Sequence, residues 1–198
     1  MRLYRTPLRS TIATLAVALT FAIPRPAAAA DDQALAARIH LDNFGKIDDG
    51  YYRGAQPEEG DYADLASLGV KTVIDLTGDG RADEPGLVQQ SGMKFFRIPL
   101  TTTDRPSDSA VAQFLSIVTN PANQPVYVHC QGGRHRTGAM TAVYRMTVNG
   151  WTSDKAYSEM KQFRFEGFPG HPVLKRFVYD YYTVLSQTRT AVAPSAVK

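Results

Sequence analysis

Val126–Gly138 reads VYVHCQGGRHRTG, and its reading decides the fold. The apolar, β-branched run Pro125–Cys130 (PVYVHC) has the length and make-up of a buried strand. Gly132 and Gly133 interrupt any regular pattern. From Thr137 the chain takes up a helical spacing that lasts to Val148 and stops at Asn149-Gly150. A strand, a glycine-bearing loop and a helix in such quick succession form one turn of a parallel α/β sheet. Working outward, Val70–Thr77 (VKTVIDLT) and Met93–Leu100 (MKFFRIPL) read as two further buried strands. Helices are expected at Asp61–Leu68, stopped by Gly69, and at Glu84–Ser91, begun by Pro85. Three more are expected at Ser107–Val118, capped by Ser107 or Asp108, at Ser153–Phe165 and at Pro172–Gln187. The alternation predicts one α/β domain over residues 31–187, a central, mostly parallel sheet flanked by helices. The tail 188–198, rich in Ala, Pro, Ser and Val, is expected to fray.

The cysteine loop has a chemistry of its own. Backbone N–H groups between a strand end and a helix N-terminus converge into an anion cradle, reinforced by the helix dipole. Gly132 and Gly133 permit the backbone turns and close approach that such a cradle needs. Arg136 can grip two oxygens of a phosphate with its planar fork. Cys130, six residues before it, would lie at the cradle floor, where the same donors favour its thiolate and make it a nucleophile. Thr137 can offer its hydroxyl to the sulfur. The plain alternative is a buried cysteine that only fills space. His129, beneath the cradle, is expected to orient the loop rather than act as a base.

The pattern His129-Cys130-x5-Arg136-Thr137-Gly138 resembles the phosphate-binding loop of the cysteine-dependent protein tyrosine phosphatases, and most of all their dual-specificity branch. Tyr52–Pro57 (YRGAQP) and Leu68–Leu76 (LGVKTVIDL) resemble the opening of small bacterial and fungal-type members. Trp151–Met160 (WTSDKAYSEM) resembles their helix after the loop, and the likeness spans about residues 46–185. The resemblance implies attack of Cys130 on phosphorus, a phosphocysteine intermediate and release of phosphate by water. It implies substrate binding by Gln131, Gly132, Gly133, Arg134, His135 and Thr137 alongside Arg136, with no metal and no cofactor. Arg134 and His135 also resemble the loop residues of enzymes acting on inositol phosphates or phosphoinositides, while phosphotyrosine fits the fold equally. Tyr52–Pro57 is read as a structural turn rather than a substrate contact. A rhodanese-like sulfurtransferase and a phosphate-binding pseudophosphatase are the rival readings.

Cleavage of a phosphate ester benefits from a carboxylic acid that protonates the leaving oxygen. Such families take it from the loop after the strand preceding the cysteine strand, here Thr101–Ser109 (TTTDRPSDS). Asp104 is the candidate; Asp108 is expected to cap the following helix, and Asp79 and Asp83 stand further off in the earlier loop.

Composition removes other classes. The chain holds one cysteine in 198 residues, which excludes an internal disulfide framework or a cysteine-rich zinc site. Residues 1–30 hold Arg2, Arg5, Arg9 and Arg25 and no acid, so the rest carries 18 of the 22 Lys+Arg against 19 Asp+Glu. A near-neutral body gives no footprint for nucleic acid. Those first residues read as a secretory signal: a positive start, an apolar run from Thr11 to Ile23, and small residues Ala27–Ala30 for cleavage. The run is too short to span a bilayer, so no membrane anchor is expected after cleavage, and the protein is expected to be periplasmic or secreted. Its oligomeric state is not legible.

Overall fold

The computed structural model describes residues 39–167 and 170–192. The expected signal segment lies outside them. Five strands form one sheet: β1 (Gly45–Asp48), β2 (Tyr51–Gly54), β3 (Thr72–Thr77), β4 (Lys94–Leu100) and β5 (Val126–His129), in the order β1-β2-β5-β3-β4. Pairs β2/β5, β5/β3 and β3/β4 are parallel, and only β1/β2 is antiparallel. The helices are α1 (Asp61–Ser67), α2 (Glu84–Gln90), α3 (Asp108–Val118), α4 (Arg136–Thr147), α5 (Ser153–Gln162) and α6 (Pro172–Val192).

The strands read as unbroken apolar runs because helices cover both faces. Ile74, Leu76, Val126 and Val128 face a core shared with α3, α4, α5 and α6. Val73 and Tyr127 point the other way, into a second core with Tyr62 and Leu65 of α1 and Val88 of α2. Among the described residues no helix is long and apolar enough to cross a membrane.

Three expectations need correction. Tyr52–Pro57 is not simply a turn: its first half belongs to β2, which pairs along β5 with Arg53 opposite Val128 and Gly54 opposite His129. The signal was Asp49-Gly50 between two short runs, a hairpin dipeptide. At the other end, α6 runs past Gln187 to Val192 instead of fraying from Thr188. Arg189 Nη2 donates to the carbonyls of Met146 (3.0 Å) and Thr147 (2.9 Å), binding the last turn of α6 to the C-terminal end of α4. Residues 193–198 lie outside the described residues. Helix α5 ends at Gln162 rather than Phe165 because Arg164 turns the chain with a left-handed backbone, φ 59°.

Candidate active site

Sheet order puts β5 in the middle, so the loop after it emerges at the centre of the carboxyl edge, where α/β folds place their ligands. Cys130 follows the last residue of β5, residues 131–135 form the loop, and α4 begins at Arg136. A cleft of about 540 Å³ opens above them. Its floor and one wall are Cys130, Gln131, Gly132, Arg134, His135 and Arg136; the opposite wall is Leu100–Thr103 after β4 and Gly78-Asp79 after β3. Cys130 is 3% exposed.

The lining is rich in donors with nothing to donate to. Arg134 Nε, His135 Nε2, Arg136 Nε and the Thr137 hydroxyl are buried, and none makes a hydrogen bond within the described residues. Arg136 is steadied at its far side, where Nη1 donates to the Leu100 carbonyl at 3.3 Å and lies 3.9 Å from Asp79 Oδ1. Burial first, then the neighbouring His171, with smaller pushes from Arg134 and Arg136, lowers His135 to about 4 against an opposing pull from Glu166. It is therefore neutral near pH 7, and the loop's standing positive charge comes from Arg134 and Arg136.

The loop is held from behind. Gly133 has a left-handed backbone, φ 62°, and lies so close to the Gly54 carbonyl that a Cβ would collide with it. The Gly133 oxygen accepts from Arg53 Nη2 and from Asn43 Nδ2 (2.8 Å). The Gln56 N–H donates to the Gln131 oxygen at 3.1 Å. On the other side, His129 is fully buried with Nε2 at 3.0 Å from Glu84 Oε1 and Nδ1 at 4.0 Å from Asp75 Oδ1. Burial by itself raises the Glu84 carboxyl, but contacts from His129, Gln56 and Tyr62 more than reverse this and hold it below its ordinary range. The donor atoms of Asp75, Glu84 and His129 lie close enough together to suit a metal ion. Arg97 already fills the cation's role, with Nε 2.7 Å from Asp75 Oδ2 and Nη2 3.5 Å from Glu84 Oε2. His129 thus lies wholly buried next to Cys130 in the chain, beside Glu84 and Asp75.

The carboxylates are placed less simply. Asp104 is exposed, and its Oδ2 accepts from the hydroxyls of Thr101 (2.7 Å) and Thr103 (3.4 Å). Its loop lines the cleft, but its carboxylate does not. Asp108 does not cap α3: Ser107 does, accepting from the Ala110 N–H at 3.1 Å, while Asp108 sits 3.4 Å from Arg105. Asp83 is tied to Arg81 at 2.7 Å, a hydrogen bond that holds its carboxyl below the usual range. Asp79 alone of the four lines the cleft.

Sequence reasoning overlooked Asn43, Arg53, Asp75, Glu84 and Arg97 as supports of the site. For Arg53, Asp75 and Arg97 a signal existed: each is a charge inside an otherwise apolar strand (YYRG, TVIDLT, KFFRIPL), a position that needs a partner or a purpose.

A buried sulfur under a ring of free donors, on this topology, is the arrangement of a cysteine-dependent phosphatase, a hydrolase of phosphate esters. Residues 42–171 match the family model described as "DSP-PTPase phosphatase fused to NAD+ Kinase", and the chain belongs to that family, within the protein tyrosine and dual-specificity phosphatase superfamily. The chain is 32% identical over 124 residues to the dual specificity protein phosphatase TpbA of Pseudomonas aeruginosa, covering 62% of this chain and 55% of TpbA. The structure of TpbA in complex with pTyr superposes with a TM-score of 0.62 at 26% identity, covering 77% of this chain and 91% of that one. A probable tyrosine-protein phosphatase of Dictyostelium discoideum is 29% identical over 126 residues, 61% of this chain and 75% of its own. The inositol diphosphatase SIW14 of Saccharomyces cerevisiae is 27% identical over 133 residues, 64% of this chain and 47% of its own length. The chain thus spans about half the length of two of these curated relatives. Membership in this family disposes of the rhodanese-like alternative.

Proposed function

We propose that the protein is an exported phosphatase that hydrolyses phosphate monoesters through a phosphocysteine intermediate on Cys130. The observation that carries this is a cleft lined by buried Cys130 in which Arg134 Nε, His135 Nε2 and Arg136 Nε are buried and have no hydrogen-bond partner among the described residues. In the first step the Cys130 thiolate attacks phosphorus, the bond to the ester oxygen breaks, and an acid delivers a proton to the departing alkoxide or phenoxide. Arg136 and the loop N–H groups hold the equatorial oxygens where charge accumulates. In the second step water attacks the thiophosphate, and the Thr137 hydroxyl eases departure of the sulfur. Asp104 serves as the acid once its hydrogen bond from Thr101 is given up. Asp79, which lines the cleft 3.9 Å from Arg136 Nη1, is the rival candidate for the acid.

A second reading of the substrate, an inositol phosphate or diphosphate, is supported by Arg134, a second guanidinium lining the cleft beside Arg136, and by the likeness to SIW14. Export is supported by the Arg2–Ala30 pattern, and sequencing the N-terminus of protein recovered from culture fractions tests it.

Turnover of phosphopeptides, inositol phosphates and p-nitrophenyl phosphate is the direct assay. Cys130→Ser is expected to abolish turnover and keep vanadate binding; wild-type-like turnover overturns the mechanism. Asp104→Asn is expected to slow an alkyl phosphate by about 100-fold or more and p-nitrophenyl phosphate far less, because a good leaving group needs no proton. If Asp79→Asn shows that selectivity instead, the acid is Asp79.

A further inference from the structure

The Tyr52–Pro57 stretch is left without a role in the chemistry above, yet it contains the most unusual side chain in the protein. Arg53 is 0% exposed. Its Nη2 donates to the Gly133 oxygen, while Nε and Nη1 have no hydrogen-bond partner among the described residues. Its guanidinium carbon lies 4.0 Å from the centre of the Phe163 ring, and no carboxylate among the described residues pairs with it. A buried, unpaired cation is expensive. Its place under the phosphate loop gives the reason.

We propose, resting on the phosphatase reading above, that Arg53 is a positioning residue of the cysteine loop, acting from behind it in two ways. First, with Asn43 it turns the Gly133 carbonyl away from the cleft. Gly133 lines no part of the cleft, whereas Gly132 and Arg134 do. Because the peptide unit is planar and trans, a carbonyl drawn backward aims the next N–H, that of Arg134, forward at a bound oxyanion. Second, Arg53 supplies a fixed positive charge behind the loop that favours both the Cys130 thiolate and an oxyanion above it. Burial lowers its guanidinium to about 10, still well above neutrality, so it stays protonated through the physiological range. The other charged or titratable groups around Cys130 are Arg134, His135, Arg136 and Asp79, which line the same cleft, and His129, its neighbour in the chain.

The test separates charge from orientation by following three variants with three readouts: the pH midpoint of Cys130 alkylation by iodoacetamide, vanadate affinity and thermal midpoint. Arg53→Met is expected to raise the alkylation midpoint by about one pH unit or more and to weaken vanadate at least tenfold. Its thermal midpoint should fall little, because the buried charge leaves with its desolvation cost. Arg53→Lys, which keeps the charge without the fork, should leave the alkylation midpoint in place and still weaken vanadate. Asn43→Ala, neutral in charge, should also leave the midpoint and weaken vanadate about five- to tenfold. An unmoved alkylation midpoint in Arg53→Met overturns the electrostatic role. An unmoved vanadate affinity in Asn43→Ala overturns the orienting one. If Arg53→Met does not fold, a raised midpoint in Arg53→Lys refutes the charge argument by itself. Failure of the underlying phosphatase reading looks different: wild-type Cys130 would then resist alkylation, or Cys130→Ser would turn over substrate.

Discussion

The close approach of Gly133 to β2 can be weighed by adding one methyl group at three glycines. At Gly133 the backbone is left-handed, φ 62°, and an added Cβ meets the Gly54 carbonyl carbon and oxygen, with Ala55 N at 2.7 Å. At Gly150 the backbone is also left-handed, φ 68°, but nothing lies within 4 Å. At Gly132, one residue from Gly133, the nearest neighbour is the flexible Arg134 side chain at 3.7 Å. Gly150→Ala therefore isolates the conformational cost, about 1–2 kcal/mol. Gly132→Ala, which has neither burden, should stay within about 0.5 kcal/mol of wild type. Gly133→Ala adds a clash with backbone atoms that cannot rotate aside. Relief requires the loop to leave Gly54, loosening the bonds from Arg53 and Asn43 to the Gly133 oxygen and from Gln56 to Gln131. At about 1 kcal/mol net for each, the total for Gly133→Ala comes to about 4 kcal/mol. For a domain of this size that lowers the thermal midpoint by about 8–16 °C. Urea and thermal melts of the three variants give the comparison, with vanadate affinity of Gly133→Ala and Gly150→Ala as a parallel readout expected to collapse only in Gly133→Ala. A Gly133→Ala protein no less stable than Gly150→Ala would refute the claim that β2 braces the loop by contact.

Two further expectations concern acid. Glu84 titrates below its ordinary value near 4.5 in the folded protein, so its contribution to stability is complete above that value and drains away as pH falls through the lowered one. Urea melts from pH 3 to 7 should therefore show a shallower acid limb in Glu84→Gln, whereas Glu84→Leu, which strands His129 and Arg97, should lose about 3–5 kcal/mol at neutral pH. His135, pushed down from 6.5 to about 4, binds its proton more readily unfolded than folded, so stability declines as pH drops from about 6.5 towards 4; His135→Asn should flatten that interval, and an unchanged slope would place the ring in water.

Strand runs and caps made the helices and the three central strands legible, because their residues repeat a period that burial on both faces enforces. Cys130 and Arg136, the proposed nucleophile and phosphate clamp, stood out for a different reason, since the proposed chemistry fixes their spacing within one local loop. What sequence could not show were partnerships across the sheet. Nothing in YRGAQP indicates that Arg53 lies opposite Val128, one residue from a position beneath the cysteine, until β2 is placed beside β5. Likewise Glu84 begins a short helix by propensity, and only the fold brings it within 3.0 Å of His129, 45 positions away in the chain. Asp104 shows the converse limit: loop position named it, while the orientation of its carboxylate depends on hydroxyls at Thr101 and Thr103.

The two charge systems under the loop differ in a way that bears on ligand binding. Asp75 and Glu84 each lie within reach of Arg97 and of a ring nitrogen of His129, so those charges have partners of their own. Among the described residues Arg53 lacks one; its contacts there are a carbonyl oxygen and an aromatic face. In the proposed reaction Arg53 is thus a buried cation whose natural counterion is whatever negative charge occupies the cleft, first the thiolate and then the phosphoryl oxygens. A ligand that binds only the folded state stabilises it according to its affinity and concentration. Here part of that affinity comes from relieving a charge already buried in the free protein. The same cation serves both steps. It favours the nucleophile before attack and the dianion after it, without touching either.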